Sequence, residues 1–170
     1  SENIGRLWEV KSIQNLLGIM RHEGFLNSAT FSPDSKRIVT ASTDGTAQIW
    51  DVRTGQPLNG PMKHEKSVNS AIFSPDGMWV ITASDDGTAQ LWDTRTGKPL
   101  GKPLKHKDWV YLADFSPDGT RIVTVAGSDV QLWNVYTGFP INKTMKHGWN
   151  VRSAKFSRDG ARVVTASGDY

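Results

Sequence analysis

The sequence predicts an all-β fold built from one sheet repeated along the chain. Three observations lead there. Histidines stand at positions 22, 64, 106 and 147, at intervals of 42, 42 and 41 residues, and the text after each is a variant of the same stretch. A fixed period of this size marks a repeat architecture. Within each copy, runs rich in Val, Ile, Thr and aromatic residues alternate with Pro, Asp and Gly turn clusters, the pattern of short strands. The second run of each copy, WVITAS or RIVTVA, is apolar or small at successive positions, so both of its faces are expected to be covered.

The copy that starts at His64 defines the elements. Ser67 to Ser74 is a first strand, closed by Ser74-Pro75-Asp76-Gly77. Pro presets the backbone of the second turn position, and Asp and Gly suit those that follow. Met78 to Ser84 is a second strand, Asp85-Asp86-Gly87 a turn, and Thr88 to Trp92 a third strand. A turn at Arg95-Thr96-Gly97-Lys98 leads to a fourth, Pro99 to Lys105. Pro99 and Pro103 cannot donate ladder hydrogen bonds, so this strand belongs at an edge. The approximate repeats are 22–63, 64–105 and 106–146.

Two partial copies flank them. Gly5-Arg6-Leu7-Trp8-Glu9-Val10 aligns with Ala47-Gln48-Ile49-Trp50-Asp51-Val52, so residues 1–21 read as the third and fourth strands of a sheet. Residues 147–170 read as a first and second strand. The third copy departs from the others: Val125-Ala126-Gly127-Ser128-Asp129 replaces Ala-Ser-Asp-Asp-Gly-Thr and is one residue shorter. Such a sheet cannot cover both of its faces alone. Stacking copies radially around an axis covers them, giving a single propeller unit over residues 1–170.

Composition narrows the chemistry. The chain has 170 residues, 37% hydrophobic and 22% charged, and a formal charge of +3. It has no cysteine, which excludes disulfides, thiolate metal sites and a thiol nucleophile. No apolar run approaches the roughly 18 residues of a membrane span, so no membrane partner is expected. No export signal is visible, and a cytoplasmic location is the expectation.

His, then Phe-Ser-Pro-Asp-Gly, then Ser-x-Asp-Gly-Thr, then Leu/Ile-Trp-Asp, recurring in phase, resembles the WD-repeat family over essentially the whole chain. The wording is most similar to bacterial tandem WD repeats. The resemblance implies a β-propeller that works as a non-catalytic protein-interaction platform, without cofactor. It also implies a structural network in each sheet, linking the His, the turn Asp, a Ser or Thr of the second strand and the Trp of the third. Here the residues are His22, Ser42, Asp44 and Trp50; His64, Ser84, Asp86 and Trp92; and His106 with Trp133, where Ala126 replaces the Ser. His147, Ser167 and Asp169 form the last set, whose Trp is missing.

One histidine per repeat cannot converge on a single metal ion, so a metal site is not expected. The aspartates of the Ser-Pro-Asp turns (Asp34, Asp76, Asp118) and Asp159 have the alternative reading of catalytic carboxylates, but turn chemistry accounts for them. No catalytic triad or phosphate loop is present. Arg21, Lys63, Lys105 and Lys146 each precede a repeat histidine and form a broken basic ring, read either as solvated edge charge or as a surface for an acidic partner or nucleic acid. Nucleic acid is the weaker reading, because stacking aromatics are few. The positions just after the histidines are the most varied: Phe25 and Asn27, Ser67 and Asn69, Trp109 and Tyr111, Trp149, Asn150 and Arg152. In the family such a rim binds protein or peptide partners, and large aromatics there are of hot-spot type. Packing between sheets is the competing reading.

The two partial copies are complementary. Closure as a four-bladed ring, as two chains sharing an eight-bladed ring, or as part of a longer protein would each satisfy them. A homodimer is the expectation, with Trp8 of each chain completing the His147 network of the other.

Overall fold

Each Ser-Pro-Asp turn is held by its own side chains. Ser74 Oγ donates to Asp76 Oδ1 at 2.6 Å and accepts the Trp79 N–H at 2.9 Å, while the Met78 N–H closes on Asp76 Oδ1. The same bonds recur at Ser32 and Asp34, Ser116 and Asp118, and Ser157 and Asp159. Gly77, Gly119 and Gly160 follow with φ of 71°, 69° and 69°, a conformation that suits glycine; in the first copy Ser35 adopts it at 59°. The four aspartates are therefore turn residues, as the sequence indicated.

The computed structural model describes residues 3–8 and 15–169, with backbone alone at residue 8 and residues 15–19. All its regular structure is strand; no helix occurs among the described residues. β1 (Ile4–Trp8) pairs with β2 (Asn15–Arg21) in a two-stranded sheet. Three four-stranded antiparallel sheets follow. The first joins β3 (Leu26–Phe31), β4 (Arg37–Ser42), β5 (Thr46–Asp51) and β6 (Met62–Lys63). The second joins β7 (Val68–Phe73), β8 (Trp79–Ser84), β9 (Thr88–Asp93) and β10 (Pro99–Lys105). The third joins β11 (Val110–Phe115), β12 (Arg121–Ala126), β13 (Asp129–Asn134) and β14 (Met145–Lys146). β15 (Val151–Phe156) and β16 (Val163–Ser167) form a last pair. The fourth strands lie at the sheet edges, where the prolines of β10 cost no ladder bond.

The core lies between sheets. Val39, Ala41, Ile49 and Met62 of the first blade pack with Val68, Ala71 and Phe73 of the second, all nearly inaccessible. Burial of this kind contributes roughly 25 cal/mol per Å² of apolar surface. Polar contacts register one blade on the next. The Arg37 guanidinium lies 5.2 Å above the Phe73 ring and donates to the Gly77 carbonyl at 2.8 Å. Arg121 repeats the contact on Phe156 at 5.6 Å. Thr30 Oγ1 donates to the Ala71 carbonyl, and the Ala71 N–H to Ser28 Oγ.

Candidate interaction rim and the histidine networks beneath it

The histidine network has a threonine at its centre. Trp50 Nε1 donates to Thr40 Oγ1 at 2.8 Å, and Thr40 Oγ1 lies 2.7 Å from His22 Nε2. His22 Nδ1 lies 3.2 Å from Asp44 Oδ2. A carboxylate only accepts, so Nδ1 carries the imidazole proton, and Nε2 accepts from the threonine hydroxyl. The second blade repeats this arrangement with Trp92, Thr82, His64 and Asp86, at 2.8, 2.7 and 2.8 Å. Each imidazole meets its tryptophan edge-on, with centroids 5.9 and 6.0 Å apart.

This corrects the expectation for Ser42 and Ser84. Neither joins the chain from tryptophan to aspartate. Both stand two residues nearer the turn than Thr40 and Thr82, out of reach of the indole, and their hydroxyls accept the Asp44 and Asp86 N–H groups. Ser167 likewise accepts from the Asp169 N–H, while Thr165 Oγ1 meets His147 Nε2 at 3.0 Å and Asp169 meets Nδ1 at 3.3 Å. The Trp8 side chain, expected to complete such a set, lies outside the described ones.

In the third blade the shorter turn removes the aspartate. Asp129 pairs in register with Lys146, the place held by Thr46 opposite Lys63 and by Thr88 opposite Lys105. Thr124 still accepts from Trp133 Nε1 at 2.8 Å, and His106 keeps its edge contact with Trp133 at 5.4 Å. His106 Nε2, however, is buried with no hydrogen-bond partner among the described residues. Burial holds the His106 imidazole below the usual histidine range, opposed by the nearby Asp129 carboxylate. Gly127 carries this turn at φ 56°, and a Cβ there would run into the Asp108 carboxylate.

The varied positions after the histidines divide into two groups. Asn27 Nδ2 donates to Ser67 Oγ at 3.0 Å and to the Val68 carbonyl at 2.8 Å; Asn69 Nδ2 donates to Asp85 Oδ1 at 2.6 Å and to the Val110 carbonyl at 3.0 Å. These residues stitch neighbouring blades, the packing alternative weighed from sequence. Tyr111 and Arg152 hold the same position in later blades and are exposed instead. Phe25, Trp109, Tyr111 and Trp149 are 63, 65, 58 and 67% exposed, and Asn150 is exposed beside them. Arg21, Lys63, Lys105 and Lys146 are all exposed, and Lys146 Nζ lies 3.7 Å from Asp129. Glu65 and Asp86 share a groove with Lys63 and Lys105, so the sign of charge alternates there.

A family model described as WD domain, G-beta repeat matches residues 14–51, 55–93, 97–134 and 138–170. The chain belongs to the WD-repeat family. No curated protein matches it with significance. The first matched repeat runs from β2 through β5, so repeat and blade are staggered: each of the first three matches supplies the edge strand of one blade and three strands of the next, and the fourth supplies β14 with β15 and β16. Sequence reasoning found the histidines, aspartates and tryptophans of the WD networks. It missed Thr40, Thr82, Thr124 and Thr165, although a threonine recurs in every copy three residues after Arg37, Trp79, Arg121 or Arg162 and two before the small residue that ends the second strand.

Two outcomes follow from this geometry. His64→Ala strips a buried acceptor from Thr82 and a donor from Asp86, and should cost about 1–3 kcal/mol. His106→Ala should cost less, because its Nε2 has no partner to lose. Thermal denaturation of both variants checks this; equal losses would contradict it. The second concerns acid. Burial raises the Asp44 pKa, but bonds from the Thr46 hydroxyl and N–H and from His22 outweigh it, and the carboxyl is held at about 2. Its folded value lies below the unfolded value of about 3.9, so its contribution is present above pH 4 or so and is lost as pH falls toward 2. Melting temperatures of wild type and Asp44→Asn should differ most near neutrality and converge over that window.

Proposed function

We propose that this WD-repeat chain is a non-catalytic, cytoplasmic protein-interaction scaffold that engages protein or peptide partners at the rim carrying Trp109, Tyr111 and Trp149. WD repeats generally mediate protein–protein interaction. The observation that carries the reading to this rim is the exposure of large aromatics where other copies place Ser67 and Asn69. Tyr111 replaces an asparagine that elsewhere stitches blades, so a packing contact is exchanged for an exposed ring. Aromatics in such positions anchor interfaces. Polyanion capture by the basic ring is less favoured, since Asp129, Glu65 and Asp86 intersperse it. In a quantitative pull-down, wild type should retain partners that Trp109→Ala with Tyr111→Ala loses. Lys63→Ala with Lys105→Ala should retain them. Unchanged capture by the aromatic variant would overturn the reading.

We also propose that two copies share one eight-bladed ring. Phe31 is 54% exposed, whereas Phe73 and Phe115, its counterparts, are each 6% exposed beneath a preceding blade. At the other end Val164 is 69% exposed, whereas Val39, Ile81 and Val123 are inaccessible beneath a following blade. β16 of one copy against β3 of the next would restore this contact, with Arg162 placed as Arg37 is on Phe73. Sedimentation should report about twice the 18.8 kDa chain mass, and Phe31→Glu should shift it to the monomer. A wild-type monomer would overturn the shared ring.

A further inference from the structure

Four departures from the repeat converge at the ends of the blades opposite the rim. Between the first and second blades, the junction carries Arg37, Asn59, Arg95 and Lys98. Asn59 fills it: its Nδ2 donates to the Thr94 carbonyl at 2.8 Å, and its Cβ lies 3.0 Å from where a Cβ on Gly97 would stand. Between the second and third blades, the same four places hold Trp79, Gly101, Tyr136 and Phe139. Three cationic side chains have become aromatic, and the bridging asparagine has become glycine. A Cβ built on Gly101 meets nothing within 4 Å. The result is an open groove of about 560 Å³, walled by Trp79, Leu100, Ile122, Val135, Tyr136 and Phe139. Trp79 and Tyr136 stand edge to face, with centroids 6.0 Å apart and planes at 82°. Tyr136 and Phe139 are each 71% exposed.

From this convergence we infer that the groove between the second and third blades is a second binding site, for an extended peptide segment that presents a bulky apolar side chain flanked by carboxylates. The apolar anchor follows from the walls: perpendicular aromatic rings with aliphatic side chains behind them favour a ring or a branched side chain between them. The flanking charge follows from complementarity. Among the described residues, Lys102 is the only charged one lining the groove, and no carboxylate lines it. A main-chain donor on the peptide has an acceptor as well, since Gly101 leaves the Val135 carbonyl without the side-chain partner that Thr94 has in Asn59. Recognition does not proceed by strand addition to β10. Pro99 and Pro103 lack N–H groups, and Gly101 breaks the extended backbone at φ 65°. The site is independent of the rim, at the other end of the same strands.

The test uses the whole chain and an array of short synthetic peptides with a central Trp, Phe, Leu or Ala, flanked on both sides by Glu, Ser or Lys, read by fluorescence anisotropy. Glu-flanked peptides with an apolar centre should bind best, and Ala-centred ones should not bind. Replacing the four places by their counterparts, Trp79→Arg, Gly101→Asn, Tyr136→Arg and Phe139→Lys, should weaken binding at least about tenfold. The first junction holds the same residues, although Asn59 does not share the positive φ of Gly101, and an unchanged melting temperature checks that the fold accepts all four here. Should the fourfold variant unfold, Tyr136→Arg alone, at an exposed side chain, should still weaken binding severalfold. Trp109→Ala with Tyr111→Ala should leave it intact, which separates this site from the rim. Equal binding by the groove variants, equal binding of Lys- and Glu-flanked peptides, or no binding by wild type would overturn the inference.

Discussion

The rest of this structure depends on the packing of one blade against the next. A four-stranded sheet with apolar residues on both faces has no stable existence in water by itself. β4, β8 and β12 are buried at nearly every position because each lies between two neighbours. β16, with the same kind of sequence, alternates between partly buried and exposed, because no blade among the described residues covers its second face. The burial of a residue is set by its place in the stack as much as by its type. Phe31 and Phe73 are the same amino acid in the same turn of the repeat and differ in exposure by a factor of nine.

Close stacking makes polar groups inside a blade costly unless they are paired, and the histidine networks answer that constraint. The tryptophan N–H, the threonine hydroxyl and the imidazole are all inside, and each satisfies the next. The aspartate ends the series at the turn, where it also accepts the Glu23 or Glu65 N–H and so joins the loop after the histidine to the turn between β4 and β5 or between β8 and β9. The network thus links burial in the blade to the shape of the rim. In the third blade, loss of one turn residue removes the aspartate that Nδ1 meets elsewhere, and His106 Nε2 is also buried without a partner among the described residues, in the blade whose rim exposes Trp109 and Tyr111. The blade with the least complete polar interior carries the most aromatic rim.

The strands hold the repeat together and their ends are free to vary. At one end, exchange of a stitching asparagine for Tyr111 exposes a ring. At the other, exchange of Asn59 for Gly101 at the next junction opens a groove. Both are changes at positions where a side chain would otherwise bridge two blades, and at Gly101 the backbone turns as well, to a φ of 65° within the longer β10. A repeat fold can therefore gain a surface by giving up one inter-blade hydrogen bond of roughly 1 kcal/mol while keeping the apolar contacts beneath it.

The sequence by itself determined the number of strands, their antiparallel order, the turns and the family. Those features depend on local chemistry repeated in phase: Pro-Asp-Gly turns, β-branched runs and a fixed period leave little choice of topology. It also named the histidine, aspartate and tryptophan of the networks in the first two blades, because those residues are distinctive. Only the tertiary structure decided that threonine and not serine completes it, since two hydroxyls on one strand differ in nothing but their distance from the indole. Only the structure separated Asn27 and Asn69, which bind the next blade, from Tyr111 and Arg152 at the same position. The groove was beyond the sequence for a similar reason. Trp79 and Tyr136 are 57 residues apart in the chain, and what brings their rings to 6.0 Å is the stacking of two blades, a contact between surfaces that no local pattern records.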